Sequence, residues 1–340
     1  MMVKKPNTNI LASVIIPNWN GKDFIGDCLL SLRKQVIKAY EVIVVDNGSK
    51  DGSVNLIEES FPEVTLVKLP NNFGFARAIN EGVKKSKAEF VVFLNSDTVV
   101  EENWLENLII FGQKYRDCIS VNSKLLNFFN RNLIDGVGIT INEVGQARSI
   151  GWKEEDRGQY DKAMYIFGAT GGASLFRRKD FLKVGMFDEN YFMYSEEVDF
   201  AFRAQFLNYK SIYCPKALVY HRHKASAKKK PHHIEYWQFR NMTITIIKDF
   251  PTAVLLRKFR WLKILLVHLN TIFYQLKNGF WWAPFRADLW IILYFPYLIY
   301  QRIKIQSGRK VGIEYIENFL MPKRITYWGL KQGSNQDQPQ

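Results

Sequence analysis

The sequence predicts a doubly wound α/β fold with a mostly parallel sheet, followed by C-terminal amphipathic helices. Short apolar runs, typical of strands buried on both faces, alternate with segments that carry apolar residues at helical spacing. This alternation predicts βαβ units. Several runs end in polar, turn-forming residues, as FVVFLNSDTVV does at residues 90–100. The length of 340 residues allows one large domain with an appendage, or two domains.

The first part of the chain predicts strands that are separated by helices. Each strand is a run such as VIIP or EVIVVD, and each helix carries its apolar residues on one face. The predicted order is strand 12–17, helix 21–35, strand 41–46, helix 53–60, strand 64–69, helix 75–86 and strand 89–95.

The middle of the chain has a less regular pattern. Several Gly and Asn residues interrupt the apolar pattern after the next helix, which suggests an irregular extension of the sheet. The predicted segments are helix 101–115, sheet extension 120–165, a glycine-rich turn entering a strand at 167–178, a helix, loop and helix at 179–209, and a strand with a polar exit at 211–226.

The cysteines and the N-terminus suggest a cytoplasmic protein. Cys28, Cys118 and Cys214 are far apart and form no CxxC pair, which is typical of unpaired thiols in a reducing compartment. The first residues, MMVKKPNTNILASVIIP, contain too short an apolar run for a secretion signal. We therefore expect the protein to be cytoplasmic, with its first ten residues forming a tail.

The positive charge is concentrated in the last third of the chain. Residues 224–340 contain 19 Lys and Arg and 6 Asp and Glu, whereas residues 1–223 contain 28 Lys and Arg and 27 Asp and Glu. Such an asymmetry suggests an anionic partner surface, either membrane or nucleic acid. The predicted division is a tail at 1–10, an α/β domain at 11–240, a basic amphipathic helical region at 241–325 and a disordered tail at 326–340.

Two carboxylates, Asp46 and Asp97, end predicted strands of the same sheet. Each could simply belong to a turn, because Asp bonds readily to local backbone. Carboxyl ends of parallel strands, however, are where open α/β sheets bind ligands. The chain has neither a GxGxxG nor a GxxxxGK[ST] phosphate loop. A carboxylate without such a loop suggests that Mg²⁺ or Mn²⁺ neutralises a phosphate ligand.

An ordered set of motifs then identifies a resemblance. The motifs are VIIPNWNG, VVDNGSKDGS, NNFGFARAIN, FLNSD, GGASLFRR, FDENYFMYSEEVDFAFR and YHRHKAS. The set covers roughly residues 10–245. It resembles family-2 glycosyltransferases of the GT-A fold, and looks closest to bacterial rhamnosyltransferase-like members that build surface polysaccharides.

The resemblance implies a nucleotide site at the first strands. Asp46 is expected to accept a hydrogen bond from the N3–H of a uracil or thymine base. Pro17 and Asn18 are expected beside that base. The motif after the third strand is expected to frame the nucleotide through Gly74, Arg77 and Asn80.

The resemblance also implies a metal site. Asn95, Ser96 and Asp97 stand in for the DxD motif of the family, so Asp97 is the expected metal ligand and Asn95 departs from the usual first Asp. His221 matches a family histidine that completes the site, and His223 is close enough to be confused with it. Without the resemblance, two histidines at a strand exit are explained equally well as exposed polar residues.

The stretch YSEEVDFAFR carries the candidate base. Acids in the first turn of a helix are favoured by its dipole, which by itself explains them. Relatives have Glu-Asp where this chain has Glu196-Glu197, and their Asp is the base. Glu197 is therefore the expected base, with Glu196 and Asp199 as alternatives. Gly171 and Gly172 are expected to form a wall on the acceptor side.

The resemblance implies an inverting transfer of a sugar, with rhamnose one candidate, from a UDP- or dTDP-linked donor. The acceptor is expected to be a glycan or a lipid-linked glycan. Two alternatives stay open: a nucleotidyltransferase of similar layout, which releases pyrophosphate, and a catalytically inactive membrane-bound scaffold.

The basic last third favours a membrane partner. Its apolar stretches are interrupted by Lys, Arg or Pro before they reach the length of a spanning helix. Tryptophans among cations are typical of helices that lie in a membrane interface, and a buried helical subdomain is the alternative. Nucleic acid is not expected as a partner, because surfaces that bind nucleic acid carry basic residues with little exposed apolar surface. We expect a peripheral protein on the inner face of the cell membrane.

Overall fold

The computed structural model describes residues 10–223 and 231–321. It confirms an α/β fold with a central sheet and with helices in the C-terminal region. The elements in chain order are β1 Ala12–Asn18, α1 Lys22–Arg33, β2 Tyr40–Asp46, α2 Ser53–Ser60, β3 Thr65–Lys68, α3 Phe75–Lys85, β4 Phe90–Leu94, β5 Thr98–Val100, α4 Trp104–Lys114, β6 Cys118–Asn127, β7 Ile134–Gly136, β8 Ile139–Asn142, β9 Ala147–Ser149, β10 Met164–Ile166, β11 Ala173–Arg177, α5 Arg178–Val184, a 3₁₀ turn Glu189–Tyr191, α6 Glu196–Phe206, β12 Lys210–His221, α7 Pro231–Asp249, α8 Thr252–Leu256, a 3₁₀ turn Arg257–Phe259, α9 Arg260–Lys277, α10 Trp282–Ser307, α11 Ile313–Glu317 and β13 Leu320–Met321.

The central sheet is parallel in one half and mixed in the other. Its strands lie in the order β10-β12-β6-β11-β4-β1-β2-β3. The predicted strands β4, β1, β2 and β3 pair in parallel. Strand β11 runs antiparallel between β4 and β6, because the chain enters it from a glycine-rich turn and not from a crossover helix. The prediction of a mostly parallel sheet therefore holds for the first half, whereas the second half combines the parallel pair β6–β12 with antiparallel pairs.

Strand β1 lies at the point where the strand order reverses. It pairs with β2 on one side and with β4 on the other. Such a switch point leaves a crevice outside the carboxyl ends of the strands, where open α/β sheets bind their ligands. The fold therefore places the ends of β1, β2 and β4 around one crevice.

The core fills both faces of the sheet. Ile16 packs with Leu29 and Leu105 on one face, and Ile15 packs with Ile79 on the other. Neighbouring residues of a strand point to opposite faces, so an uninterrupted apolar run is needed where helices cover both. This explains why the first strands have no polar alternation.

Helix α7 joins the helical C-terminal region to the sheet domain. It crosses residue 240, at which the sequence predicts a domain boundary. Ile246, from its second half, and Phe250, directly after its end, share a buried cluster with Phe202 of α6. The division into domains stays a prediction, and the structure adds that a cut at residue 240 falls inside a helix.

Within residues 10–223 and 231–321, no helix is both long enough and apolar enough to cross a membrane. Helix α10 has 26 residues but contains Pro296 and several charged side chains. Most of the predicted N-terminal tail and all of the predicted disordered tail lie outside the residues that the structure describes.

Candidate active site

A cleft with a volume of about 870 Å³ opens at the carboxyl ends of the parallel strands. It combines the polar strand ends with the start of α6 and the exit of β12, so segments far apart in the chain share one wall. Its lining includes most of the predicted site residues: Pro17, Asn18, Gly74, Asn95, Ser96, Asp97, Gly171, Gly172, Glu196, Glu197 and His221.

Asn18 and Asp46 form a buried polar pair at the ends of β1 and β2. Asn18 Nδ2 donates to Asp46 Oδ1 at 2.9 Å, and the backbone N–H of Ser49 donates to Asp46 Oδ2 at 3.0 Å. Asp46 is only 2% exposed. Asn18 Oδ1 is buried without a hydrogen-bond partner among the described residues. A buried acceptor without a donor is costly, so this end of the cleft suits a ligand that supplies an N–H or O–H.

The structure gives Asn80 a different role from the predicted one. Asn80 is 1% exposed, its Nδ2 donates to the Phe187 carbonyl and to Glu189 Oε1, and its Oδ1 accepts from the Phe187 N–H. Asn80 thus ties α3 to the loop before α6 and is not among the residues that line the cleft, so its nucleotide contact stays a prediction. The guanidinium carbon of Arg77 lies 4.2 Å from the centroid of the Phe73 ring. The contact of Arg77 with a nucleotide stays a prediction.

Gly74 lets the loop before α6 approach the start of α3 at the cleft. A Cβ atom at Gly74 would lie 2.3 Å from the carbonyl oxygen of Phe192, and its φ of +89° is in the region that favours glycine. The Ala76 N–H donates to the same Phe192 carbonyl at 3.3 Å. Gly74 is therefore required for this close contact.

The NSD segment and the glycine-rich turn support each other. The Asn95 N–H donates to the Gly172 carbonyl at 2.8 Å, and the Thr98 hydroxyl donates to the Asn95 carbonyl at 2.6 Å. A Cβ at Gly172 would lie 3.1 Å from Asn95 Nδ2, and one at Gly171 would lie 2.7 Å from the Phe75 ring. These contacts keep Asn95 and Ser96 at the cleft wall and leave Asp97 beside β12.

Two aspartates and two histidines meet in the cleft. His221 Nε2 lies 3.3 Å from Asp97 Oδ1, and His221 Nδ1 lies 2.6 Å from Asp135 Oδ2. His223 Nε2 contacts Asp135 Oδ1. Ligand atoms of Asp135, His221 and His223 all lie within 4.8 Å of one another. The prediction of Asp97 and His221 as neighbours is consistent with this geometry, and Asp135 is an addition.

The charges in this cluster fit a divalent cation. Burial opposes a charge on His221, but hydrogen bonds to Asp135 and Asp97 outweigh burial and raise the pKa of His221 to about 9. Burial also opposes the charge on Asp135, and the two histidines nevertheless hold its pKa below the usual value. Carboxylate and imidazole groups are ligands of Mn²⁺ and related metals, which bind only unprotonated ligands. A cation held by Asp97 and His221 would take the place of the proton at His221 Nε2.

Glu196 and Glu197 form an acid pair at the start of α6. Burial, and then the charge on Glu197, raise the pKa of Glu196 well above its ordinary value. Burial also raises the pKa of Glu197, but its backbone hydrogen bond and Glu196 oppose that rise. Oε2 of each is buried with no hydrogen-bond partner in the described part of the chain. Of the two, Glu196 has the more strongly raised pKa, and Glu197, which lines the cleft, keeps one buried carboxylate oxygen without a partner among the described residues.

Asp199 does not fit the alternative role of base. It is fully buried, with Oδ1 accepting from Lys248 Nζ at 2.7 Å and Oδ2 accepting from Arg203 Nη2 at 2.6 Å. Burial opposes its charge, but Arg203 and Lys248 outweigh burial and lower its pKa. Asp199 is 0% exposed and is not among the residues that line the cleft, and its contacts to Lys248 and Arg203 anchor α6 in the core.

The loop before α6 is held in a strained conformation by α7. Phe192, Tyr194 and Ser195 all have positive φ, which is uncommon for residues other than glycine. Asn241 Nδ2 donates to the carbonyls of Tyr191, Met193 and Tyr194 at 2.8–2.9 Å. Strain of this kind persists only where surrounding contacts determine it, and it clusters at functional sites. Helix α7 thus fixes the conformation of the loop that leads into Glu196 and Glu197.

Residues 13–185 match the family described as Glycosyl transferase family 2. The chain belongs to this family. The match spans the nucleotide end of the cleft, the NSD segment and the glycine-rich turn, whereas α6 and the exit of β12 follow it.

Curated relatives of this glycosyltransferase come from bacteria. The chain is 32% identical over 129 residues to Glycosyltransferase GlyG of Streptococcus pneumoniae, covering 37% of this chain and 42% of the relative. It is 36% identical over 107 residues to poly(ribitol-phosphate) beta-N-acetylglucosaminyltransferase TarP of Staphylococcus aureus, covering 30% and 33%. The matched region is therefore less than half the length of each of these relatives.

Solved glycosyltransferases share the fold. The crystal structure of GalNAc-T7 with UDP, GalNAc and Mn²⁺ superposes with a TM-score of 0.62 at 15% identity. The superposition covers 78% of this chain and 52% of GalNAc-T7. At this identity the likeness shows the GT-A fold alone.

Two features of this glycosyltransferase were not found from its sequence. Asp135 lies in the short strand β7, 86 residues before its partner His221, and has no motif around it. Asn241 holds the loop before α6 from a helix that crosses the predicted boundary at residue 240. The signals available were weak: a lone acid in IDGVGI, and one Asn in a helical pattern.

Proposed function

We propose that the protein is an inverting, metal-dependent glycosyltransferase, which moves a sugar from a UDP- or dTDP-linked donor to a hydroxyl of a glycan or lipid-linked acceptor. The observation that carries this proposal is the shared cleft. Glu197, which has one buried carboxylate oxygen without a partner among the described residues, and the Asp97–His221 cluster both line it. These are the base and the metal site that a single displacement needs.

Glu197 acts as the general base. Its Oε2 accepts the proton of the acceptor hydroxyl while the oxygen attacks C1 of the donor sugar. The new C1–O bond forms as the bond from C1 to the diphosphate breaks, so one displacement inverts the anomeric centre. Glu196, whose pKa is the more strongly raised, keeps its proton and lets Glu197 stay ionised.

The donor occupies the end of the cleft formed by β1, β2 and β4. Asn18 and Asp46 face the base, and Asp97 and His221 hold the cation beside the diphosphate. A bound Mg²⁺ or Mn²⁺ supplies a Lewis acid for the departing diphosphate. GalNAc-T7, which shares the fold and whose crystal structure contains UDP, GalNAc and Mn²⁺, supports the proposal that this enzyme also uses a nucleotide donor and a metal.

The acceptor we propose belongs to a cell-surface polymer. TarP acts on poly(ribitol-phosphate), by its name, and shares part of its sequence with this chain. The sequence motifs resemble rhamnosyltransferases, which makes dTDP-rhamnose the first donor to test. We also propose that the enzyme works at the cytoplasmic face of the membrane, where lipid-linked acceptors are assembled.

A donor panel tests this function. The protein is incubated with UDP- and dTDP-sugars, including dTDP-rhamnose, with Mn²⁺ or Mg²⁺ and bacterial lipid extract as acceptor. Metal-dependent release of UDP or dTDP is the expected result. Release of pyrophosphate indicates a nucleotidyltransferase. No release with any donor, despite nucleotide binding, indicates an inactive scaffold.

Asp135→Asn tests the proposed metal site. Asp135 holds Nδ1 of His221 and so directs Nε2 toward Asp97. Loss of such an orienting carboxylate typically lowers metal affinity about 10–100-fold. We expect this loss in calorimetric titrations of Mn²⁺ into the protein with UDP. Asp117→Asn, which removes a surface contact to Lys210, is the control. Equal Mn²⁺ affinity in both variants contradicts the assignment.

A further inference from the structure

Helix α9 presents an apolar stripe that no described part of the chain covers. The exposed residues recur at the three- and four-residue spacing that marks one helix face. They are 41–67% exposed, whereas large apolar side chains on a soluble surface usually occur singly. The stripe consists of Leu262, Leu265, Leu266, Leu269, Phe273 and Leu276.

Helix α10 adds a second stripe. The inner side of α10 carries the buried residues Ala283, Ala287, Ile291 and Leu298, which pack in clusters that include residues of α7. The outer side is 57–69% exposed at Phe285, Leu289, Ile292, Leu293, Tyr300 and Ile303. Together the two stripes form what we call the α9–α10 face.

The charge around this face has one sign. Residues 251–307 contain eight Lys and Arg and a single acid, Asp288. Helix α9 itself has no acid, and aromatic residues stand exposed near its two ends at Phe259, Trp261 and Trp281. Apolar stripes flanked by cations and aromatic rings are the features of helices that lie in the interface of an anionic bilayer.

We propose that the α9–α10 face docks on an anionic lipid bilayer, with both helices lying along the membrane surface. A second copy of the chain is a poorer occupant. It would bring two faces of the same positive charge together, whereas anionic headgroups complement them. The apolar side chains enter the acyl boundary while the cations meet the headgroups.

The docking face lies near the cleft. Trp282, at the start of α10, contacts His233 with a distance of 5.5 Å between ring centroids. His233, Ile234 and Trp237 of α7 line the cleft. A membrane-bound protein therefore holds its cleft close to the lipid surface, which favours a lipid-anchored acceptor. This consequence rests on the proposed function, and the docking itself does not.

Vesicle co-sedimentation of the full chain tests the docking. The probes are vesicles of phosphatidylglycerol and phosphatidylethanolamine, with phosphatidylcholine vesicles for comparison. The variant is Leu265→Glu/Leu269→Glu, whose positions are 45% and 52% exposed. The matched control is Leu30→Glu/Ile110→Glu, at 47% and 51% on helices α1 and α4.

The wild type and the control should bind the anionic vesicles and bind phosphatidylcholine less. The α9 variant should bind them at least about tenfold more weakly, because it loses apolar insertion and gains charge. Equal binding of the variant and the control overturns the proposal. So does a wild type that ignores vesicles but dimerises in solution through this face.

UDP binding, measured on the same samples, shows whether each variant is folded. It also separates the two proposals. If the protein docks on vesicles but releases no nucleoside diphosphate from any donor, the proposed function fails and the docking stands. If the α9 variant turns over donor normally but stays off vesicles, both stand.

Discussion

Replacing Glu197 with Gln lowers the rate of sugar transfer by a factor of about 10² to 10⁴, which is the usual contribution of a positioned base. Gln has nearly the same shape but cannot accept the proton of the acceptor hydroxyl. Steady-state release of nucleoside diphosphate measures the loss. Nucleotide binding should persist, because Asn18, Asp46 and Asp97 are untouched.

Controls separate the base from its neighbours. Glu197→Asp keeps a carboxylate, one methylene shorter, and should retain measurable activity. Asp97→Asn should show the opposite pattern to Glu197→Gln and lose metal-dependent nucleotide binding together with turnover.

The pH profile gives a second measurement of the same group. The base must be ionised to act, so activity falls as the pH drops through its pKa. Burial raises that pKa, and the acid limb of the profile therefore lies above the usual range for Glu. A Glu197→Gln enzyme with unchanged rate and profile would assign the proton transfer to another group.

The strand ends were predictable from the sequence because local pattern and global topology agree there. A run such as VVFL followed by Asn95 and Asp97 is both a buried strand and its polar exit. Once the strands pair in parallel, their ends must meet at one edge. The side of the cleft formed by β1, β2 and β4 therefore followed from short stretches of sequence.

Contacts between distant segments could not be predicted in the same way. Asn80 was assigned to the nucleotide, but its amide contacts Phe187, which is 107 residues away. Asp199 was kept as an alternative base, but its charge partner Lys248 lies in α7. A polar residue near a motif has the same sequence signal whether it faces the ligand or the core. Only the fold separates the two cases.

Lys248 shows that the C-terminal helices support the catalytic fold as well as the proposed membrane contact. Lys248 is 1% exposed, and its ammonium group donates to Asp188 at 2.6 Å and to Asp199 at 2.7 Å. Burial opposes its charge, but these carboxylates outweigh burial and raise its pKa. A truncation that removes residues 246–340 therefore removes a buried charge partner of α6 and cannot test membrane binding alone.

Lys248→Met should reduce the free energy of unfolding by about 3–5 kcal/mol, the usual effect of removing one partner from a buried ion pair. The methionine fills the space but leaves Asp188 and Asp199 with fewer donors in a region shielded from water. Urea unfolding, followed by tryptophan fluorescence, measures the change. Lys263→Met is the matched control. Lys263 pairs with Glu143 but its side chain is 47% exposed, so this change should cost about 1 kcal/mol or less.

The double variant Lys248→Met/Asp199→Asn tests the coupling between α7 and α6. Lys248→Met alone leaves the buried carboxylate of Asp199 without one of its charge partners. Asp199→Asn removes that carboxylate charge, so the second substitution costs less stability when Lys248 is already absent. The loss in the free energy of unfolding should therefore be about 0.5–3 kcal/mol smaller in the double variant than the summed losses of the two single variants. Additive losses would mean that the two side chains contribute independently. The acid pair would then owe its position to Asn241 and the loop before α6, and not to the ion pair behind it.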